Sequence, residues 1–256
     1  MSTSNGTRVA MITGGASGIG AAIARQLGSQ GMRIVIADLD AEASQRTVAE
    51  LGAAQVQASA LGIDVTSPAS IEQAFAALSK QHQRCDVLVN CAGIAKTYPF
   101  LDFPLENWQH TMDVNLTGAL LCSQRAGRMM QSAGWGRIVN IASVAGMRAV
   151  GVGRTAYGTS KAALIALTRQ MAVELAVHGV TANAVCPGPV DTPLTRELHS
   201  EKFRGEYTRA IPMNRYGTTA EVAAVVGFLA SDGASYVTGT AIPVDGGFLA
   251  AGARPD

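Results

Sequence analysis

The feature that most constrains this chain is a series of short strand-like runs that are apolar almost throughout. Val9-Ala10-Met11-Ile12, Ile34-Val35-Ile36-Ala37, Val87-Leu88-Val89 and Val180 to Val185 are examples. A strand with one face in water alternates apolar and polar side chains, whereas one covered on both faces does not. Segments of helical period separate these runs. Strands are expected over 9–12, 33–37, 55–60, 87–89, 137–141, 180–185 and 241–244. Helices are expected over about 18–30, 41–51, 105–132, from Tyr157 to His178, and over 219–230, with another opened by Ser67-Pro68. Proline suits a first-turn position, and Gly179 suits a helix stop. Strand and helix in alternation give right-handed crossovers and a parallel, doubly wound α/β sheet of about seven strands.

No change of composition divides the 256 residues, so one domain is expected over 1–256, with a short flexible N-terminus over 1–7. A hydrophobic content of 48% with 15% charged residues describes a compact folded chain. A net charge of +1 without a basic stripe argues against nucleic acid, and no apolar run reaches membrane-span length. The first seven residues lack the charged and apolar regions of a signal peptide, so a cytoplasmic location is expected. Cys85, Cys91, Cys122 and Cys186 show no paired spacing and read as buried free thiols. The four histidines are equally scattered, and no metal is expected.

The first strand runs directly into Thr13-Gly14-Gly15-Ala16-Ser17-Gly18-Ile19-Gly20 and then a helix. Small residues let a backbone approach a pyrophosphate, and the free N–H groups of a helix start favour an anion there. This Rossmann-type arrangement places Gly14, Ser17, Gly18, Ile19 and Gly20 at a nucleotide. Asp38 ends the second strand, 18 residues past Gly20, where a carboxylate accepts ribose hydroxyls and repels a 2′-phosphate. Leu39 follows and Gly15 precedes without a cation, which favours NAD over NADP. Asp64-Val65 after the third strand can receive the adenine. Asn90-Cys91-Ala92-Gly93 after the fourth allows close backbone approach. A loop acid and a plain turn are the alternatives at these two places.

Tyr157 and Lys161 stand four residues apart at the head of a helix, so phenol and ammonium share a face. A phenol with a pKa near 10 is a poor proton shuttle at neutral pH, and a fixed cation favours its ionised form.

In this order the motifs resemble the short-chain dehydrogenase/reductase family, in its compact, non-extended branch. They are the glycine turn at 13–20, Asn90 to Gly93, Asn115, Ser143 in Ile141-Ala142-Ser143, Tyr157 with Lys161, Pro187 to Thr192, and Asp245-Gly246-Gly247. Cys91 departs from the family's usual second asparagine. The resemblance implies that Tyr157 is the general acid/base and that Lys161 binds the nicotinamide ribose and lowers the Tyr157 pKa. It implies that Ser143 hydrogen-bonds the substrate oxygen and Asn115 holds a water leading to solvent. Pro187, Gly188, Val190 and Thr192 would fix the nicotinamide carboxamide.

Specificity is expected in residues 95–100 and 144–154 and in a lid over 194–213 with Gly205 as hinge. Arg148 and Arg154, between Ser143 and Tyr157, are candidates to reach an anionic or polyhydroxy substrate, with a solvent or subunit contact as the alternative. The apolar helices at 105–132 and after Tyr157, and the end Phe248-Leu249-Ala250-Ala251, point with the resemblance to a homotetramer. The function expected is NAD-dependent interconversion of a secondary alcohol and its ketone, on a polyol, sugar or small hydroxy compound. A 3-oxoacyl-thioester reductase and a catalytically silent nucleotide sensor are the alternatives.

Overall fold

The computed structural model describes residues 6–198 and 200–252. The tail expected over 1–7 therefore lies outside the described residues except for Gly6 and Thr7, as does His199 in the expected lid. Seven strands form one parallel sheet: β1 (Val9–Thr13), β2 (Arg33–Asp38), β3 (Ala58–Gly62), β4 (Val87–Asn90), β5 (Gly136–Ile141), β6 (Val180–Pro187) and β7 (Ala241–Val244). Their order across the sheet is β3-β2-β1-β4-β5-β6-β7. The order reverses between β1 and β4, and a crevice opens there at the carboxyl ends of the strands.

The uniformly apolar strands have the reason foreseen. Ala10 and Ile12 of β1 face one side, with Ile34, Ile36, Val87 and Val89. Val9 and Met11 face the other, with Val35, Leu88 and Ile138. The first side is covered by α1 (Gly18–Ser29) through Ile23 and Leu27. The second side is covered by α3 (Pro68–His82) through Ile71, Phe75 and Leu78. Between them in the chain comes α2 (Ala41–Ala53), whose start is capped by Asp40, its side chain accepting from Ala43 N at 2.9 Å. Ser67 caps α3 in the same way, with Pro68 in the first turn.

Residues 105–133 make one helical run in three parts: α4 (Leu105–Met112), a π-helical turn (Asp113–Thr117) and α5 (Gly118–Ala133). The widened turn carries Asn115. The Tyr157 helix, α6 (Thr155–Leu175), ends through a 3₁₀ turn at Gly179, whose φ of 72° suits glycine. After β6 come α7 (Pro193–Leu198), α8 (Glu201–Ala210) and α9 (Thr219–Leu229). A reciprocal Thr218–Glu221 capping box starts α9, and Val222, Val226 and Leu229 join the core with α1.

Two local expectations are corrected. The third strand begins at Ala58 rather than Gln55, because Gln55 takes a left-handed φ of 61° and Val56 N donates to Leu51 O at 2.9 Å. Those residues close α2 instead of starting the sheet. Gly205, expected as a hinge, lies inside α8 with the rest of its turn helical. Among the described residues, no helix is long and apolar enough to cross a membrane.

Candidate active site

A cavity of about 1270 Å³ occupies the crevice at the strand ends, its lining extending from Asp38 and Leu39 to Phe203 and Tyr207. At the β1 end, Thr13 Oγ1 accepts from Cys91 N at 3.2 Å and Ala92 N at 3.3 Å, clasping the two central turns together. Gly14 has φ of 65°, and a Cβ there would lie 2.7 Å from the Ala92 backbone. A Cβ on Gly20 would overlap the Gly14 carbonyl oxygen. Both positions therefore exclude a side chain. Ser17 precedes α1 in extended conformation and makes no side-chain cap bond. The first N–H groups of α1 are left for a ligand where Ser17, Gly18, Ile19 and Gly20 line the cavity, which fits a cofactor pyrophosphate.

Asp38 does two things. It lines the cavity, and its carboxylate accepts from Ala16 N at 3.0 Å and Asp40 N at 3.1 Å, bracing the glycine turn. Leu39 beside it is 77% exposed. Asp64 and Val65 line the same end. Asp64 Oδ1 accepts from Thr66 N at 2.9 Å and Thr66 Oγ1 at 2.7 Å, and these bonds hold the carboxyl below its usual range. Ala92 and Gly93 line the cavity with Cys91, but the Asn90 side chain does not. It is buried behind the cavity wall, donating to Ser123 Oγ at 2.9 Å and Asn140 Oδ1 at 2.8 Å. Asn90 thus holds β4, β5 and α5 together, and the expected cofactor contact there falls to its neighbours.

At the other end Ser143 leaves β5 in extended conformation, its Oγ accepting from Ala145 N at 3.1 Å, and it lines the cavity with Tyr157. Burial pushes the Tyr157 phenol up, while the Ser143 bond and the charge of Arg154 pull it down. Lys161 lies 5.9 Å from the centre of the Tyr157 ring, and its Nζ donates to Ile141 O at 2.7 Å. Burial brings the Lys161 pKa down to about 8. The Lys161 ammonium is thus anchored on the end of β5 while it stays beside the Tyr157 ring and lines the same cavity.

Asn115 Oδ1 accepts from Ile94 N at 2.8 Å, and its Nδ2 donates to Ile94 O at 3.0 Å and Ser160 Oγ at 3.0 Å. The side chain clamps the Gly93–Ile94 turn against α6, both amide hydrogens spent and one lone pair of Oδ1 left over.

Pro187, Gly188, Val190 and Thr192 line the cavity above β6. Thr192 N donates to Thr195 Oγ1 at 2.9 Å, Thr195 N donates to Thr192 Oγ1 at 3.1 Å, and Thr195 Oγ1 donates to Val190 O at 2.7 Å. Thr195, a lining residue the sequence reading missed, was signalled by the spacing Thr-x-x-Thr. His110 and Val114 were missed as well; they line the cavity one turn apart on the long helical run.

All three stretches expected to set specificity contribute to the lining: Thr97, Tyr98 and Phe100; Val150 to Arg154; and Phe203 with Tyr207 of α8. Arg148 and Arg154 part company. Arg154 lines the cavity, whereas Arg148 is exposed and lies 5.6 Å over the Phe248 ring. The turn at Val144–Gly146 carries the chain outward at that point. Phe248 itself is buried against Val144, Val150 and Ile211 and stacks on Tyr207 at 5.7 Å. It backs this chain's own cavity wall through Val150 and Tyr207. Asp191 ties the start of the lid down, bonding Arg196 at 2.8 Å and Arg204 at 3.0 Å, which holds its carboxyl at about 2.

A nucleotide-fitting turn at one end of a cleft and a serine–tyrosine pair at the other define a Rossmann-type oxidoreductase. Residues 14–249 match the family model described as enoyl-(acyl carrier protein) reductase. The 3-oxoacyl-(acyl-carrier-protein) reductase FabG of Aquifex aeolicus is 41% identical over 243 residues, covering 94% of this chain and 97% of its own. An NAD-dependent glycerol dehydrogenase of Listeria innocua is 36% identical over 244 residues, covering 94% and 93%. A gluconate 5-dehydrogenase from Burkholderia cenocepacia, crystallised with NADP and tartrate, superposes with a TM-score of 0.91 at 32% identity, covering 96% of each chain. The chain belongs to the short-chain dehydrogenase/reductase family, as an oxidoreductase acting on CH–OH donors with a nicotinamide cofactor.

Proposed function

We propose that this enzyme interconverts a secondary alcohol and its ketone with NAD, Tyr157 serving as general acid/base. The observation that carries the reading is that Ser143, Tyr157 and Lys161 line one end of the cleft whose far end holds Asp38. When bound, the nicotinamide cofactor supplies or accepts the hydride. Tyr157 protonates the nascent alkoxide in reduction and takes the hydroxyl proton in oxidation. Ser143 bonds the same oxygen and steadies its developing charge. Lys161, buried beside the cleft, would hold the cofactor's ribose. Asn115 positions rather than reacts, fixing the Gly93–Ile94 turn.

Asp38 and the exposed Leu39 support NAD, because neither offers a cation to a 2′-phosphate. A polyol, sugar or small hydroxy compound is the substrate class we favour, in keeping with the glycerol and gluconate dehydrogenases among the relatives. Arg154 is the substrate-end cation suited to an anionic group, and Arg148 is set aside because it faces away from the cavity. A 3-oxoacyl-thioester reductase is the second reading, favoured by the 41% identity to FabG and the broad apolar substrate end. We further propose one cytoplasmic NAD(P)-binding domain with the lid over 194–213, assembling as a homotetramer. Leu105, Val173 and Val177, which are 78%, 75% and 83% exposed, supply apolar surface for that assembly.

The test measures NAD+ and NADP+ reduction with glycerol, gluconate and acetoin, and NADH and NADPH oxidation with acetoin and an acetoacetyl thioester. NAD+-dependent oxidation of a hydroxy compound, lost in Tyr157→Phe, is the expected result. NADPH-dependent reduction of the thioester alone would establish the second reading instead.

A further inference from the structure

The Asp245-Gly246-Gly247 turn after β7 takes no part in the chemistry proposed above, yet it is built against the lid. The Asp245 carboxylate accepts from Gly247 N and from Leu249 N, each at 2.9 Å, and fixes the turn. Met213 N at the end of the lid donates to Gly246 O at 3.1 Å. The approach is close: Gly246 and Gly247 have φ of 63° and 88°, and a Cβ on them would lie 2.8 Å from Ile211 and 3.0 Å from Pro212. The turn delivers Phe248 into the cluster of Val144, Val150 and Ile211, where its side chain is buried. Its ring stacks on Tyr207 of α8 at 5.7 Å with an interplanar angle of 12°. Tyr207 in turn meets Phe203, one helical turn earlier, at 4.7 Å. Phe203 and Tyr207 line the cavity, and Phe248 stands behind Tyr207.

We propose that Phe248 is a positioning residue that sets the inner face of the lid, and that Phe203 and Tyr207 on that face take a hydrocarbon group borne by the substrate's carbinol carbon. The inference rests on the alcohol–ketone chemistry proposed above and narrows its substrate class to hydroxy compounds carrying such a group.

The rest of the substrate end matches this wall. Val150, buried in the Phe248 cluster, lines the cavity, as do Phe100 and Val152, which are 74% and 94% exposed at its rim. Tyr98 N donates to Gly153 O at 3.1 Å and joins the two stretches that carry them. An apolar substituent entering here releases water from its own surface and from these side chains. A polyol asks instead for a polar partner at each hydroxyl it buries. Phe203 has none to give, and stacking engages Tyr207 through its ring face. Thr195, also on the lid, spends its hydroxyl on Val190 O and its N–H on Thr192 Oγ1.

The experiment follows NAD+-dependent oxidation of 2-hexanol and of sorbitol, which share a carbon skeleton, by wild type, Phe203→Ala, Phe248→Ala and Phe248→Leu. One methylene in an apolar pocket is worth about tenfold or more in kcat/KM, so wild type should favour 2-hexanol by at least about tenfold. Phe203→Ala should lower that ratio by about tenfold, carried by KM for 2-hexanol. Phe248→Ala should lower it by a similar factor from behind the wall, and Phe248→Leu, which keeps bulk but loses the stack, by about threefold. The Kd for NAD+ should stay constant throughout, which separates a displaced wall from a general loss of structure. If Phe248→Ala does not fold, Phe248→Leu decides. A wild-type ratio at or below one overturns the inference and leaves the proposed function standing. So does a ratio unmoved in Phe203→Ala or in the folded Phe248 variant, or one that falls only in step with NAD+ binding. No oxidation of these alcohols, or of glycerol, gluconate and acetoin, would overturn the proposed function itself and the inference with it.

Discussion

Replacing Asp38 by Asn removes one negative charge from the adenosine end of the cleft while nearly keeping the side chain's shape. The 2′-phosphate that distinguishes NADP carries a charge of about −1.5 to −2. Set roughly 4.5 Å from a carboxylate, it is repelled by about 1.4 kcal/mol at the dielectric of water and about 5.5 kcal/mol at an effective dielectric near 20. The cleft is open and Leu39 is 77% exposed, so the lower half of that range applies. A value of about 2–3 kcal/mol corresponds to a factor of about 30–150 in the NADH-to-NADPH ratio of kcat/KM. Asp38 also receives two backbone N–H groups, from Ala16 and Asp40. An amide has one oxygen to offer, so one of those bonds is lost, at a cost of about 1 kcal/mol in stability. Adding Leu39→Arg places a cation on an unobstructed position and should carry the preference over to NADPH. The assay is kcat/KM for both reduced cofactors on one ketone, with a urea midpoint beside it. A ratio that moves by less than about threefold in Asp38→Asn would refute the electrostatic reasoning.

Three further outcomes are expected. Gly20→Ala drives a methyl group into the Gly14 carbonyl; the turn must shift, costing about 2 kcal/mol or more, and fluorescence titration with NADH should show binding weakened at least about tenfold. Asp191→Asn should loosen the lid, read as faster hydrogen exchange over α7 and α8. The Asp191 carboxyl is held at about 2 by Arg196 and Arg204. Its contribution is therefore present above the ordinary aspartate range and lost as pH falls from about 4 toward about 2, and equal exchange in the two proteins at pH 7 would count against the latch. For Lys161 the sign is reversed: its folded pKa of about 8 lies below the ordinary lysine value, so the unfolded chain holds the proton more tightly between about 8 and about 10.4 and stability rises with pH there. Lys161→Met should lose activity and lose that slope in urea midpoints taken at pH 8 and 10; identical slopes in the two proteins would contradict it.

Much of this molecule was legible in order along the chain. Strands β1, β2, β4 and β6 declared themselves because both of their faces are covered, which removes the alternation a half-exposed strand needs. The turn at Thr13 to Gly20 was legible because a side chain at Gly14 or Gly20 would overlap backbone, so the site is written as missing atoms. Ser143 and Asp38 could be placed at the strand ends, and Tyr157 at the head of the helix that follows β5, since a parallel sheet delivers every strand's carboxyl end to one crevice.

What the sequence could not determine depends on atoms brought together from distant stretches. The Asn115 side chain is spent on Ile94 and Ser160, and that of Asn90 on Ser123 and Asn140. Buried amides must satisfy their hydrogen bonds wherever packing supplies partners, and local spacing does not show where that is. Phe248, in an apolar stretch near the chain's end, closes on Val150, Ile211 and Tyr207, all distant from it in sequence. Tyr157 and Lys161 share a helix face by spacing alone. Tertiary structure decided that the ammonium would be drawn to Ile141, 20 residues earlier, and that Arg154 would stand over Phe203, because charges follow their nearest partners in space.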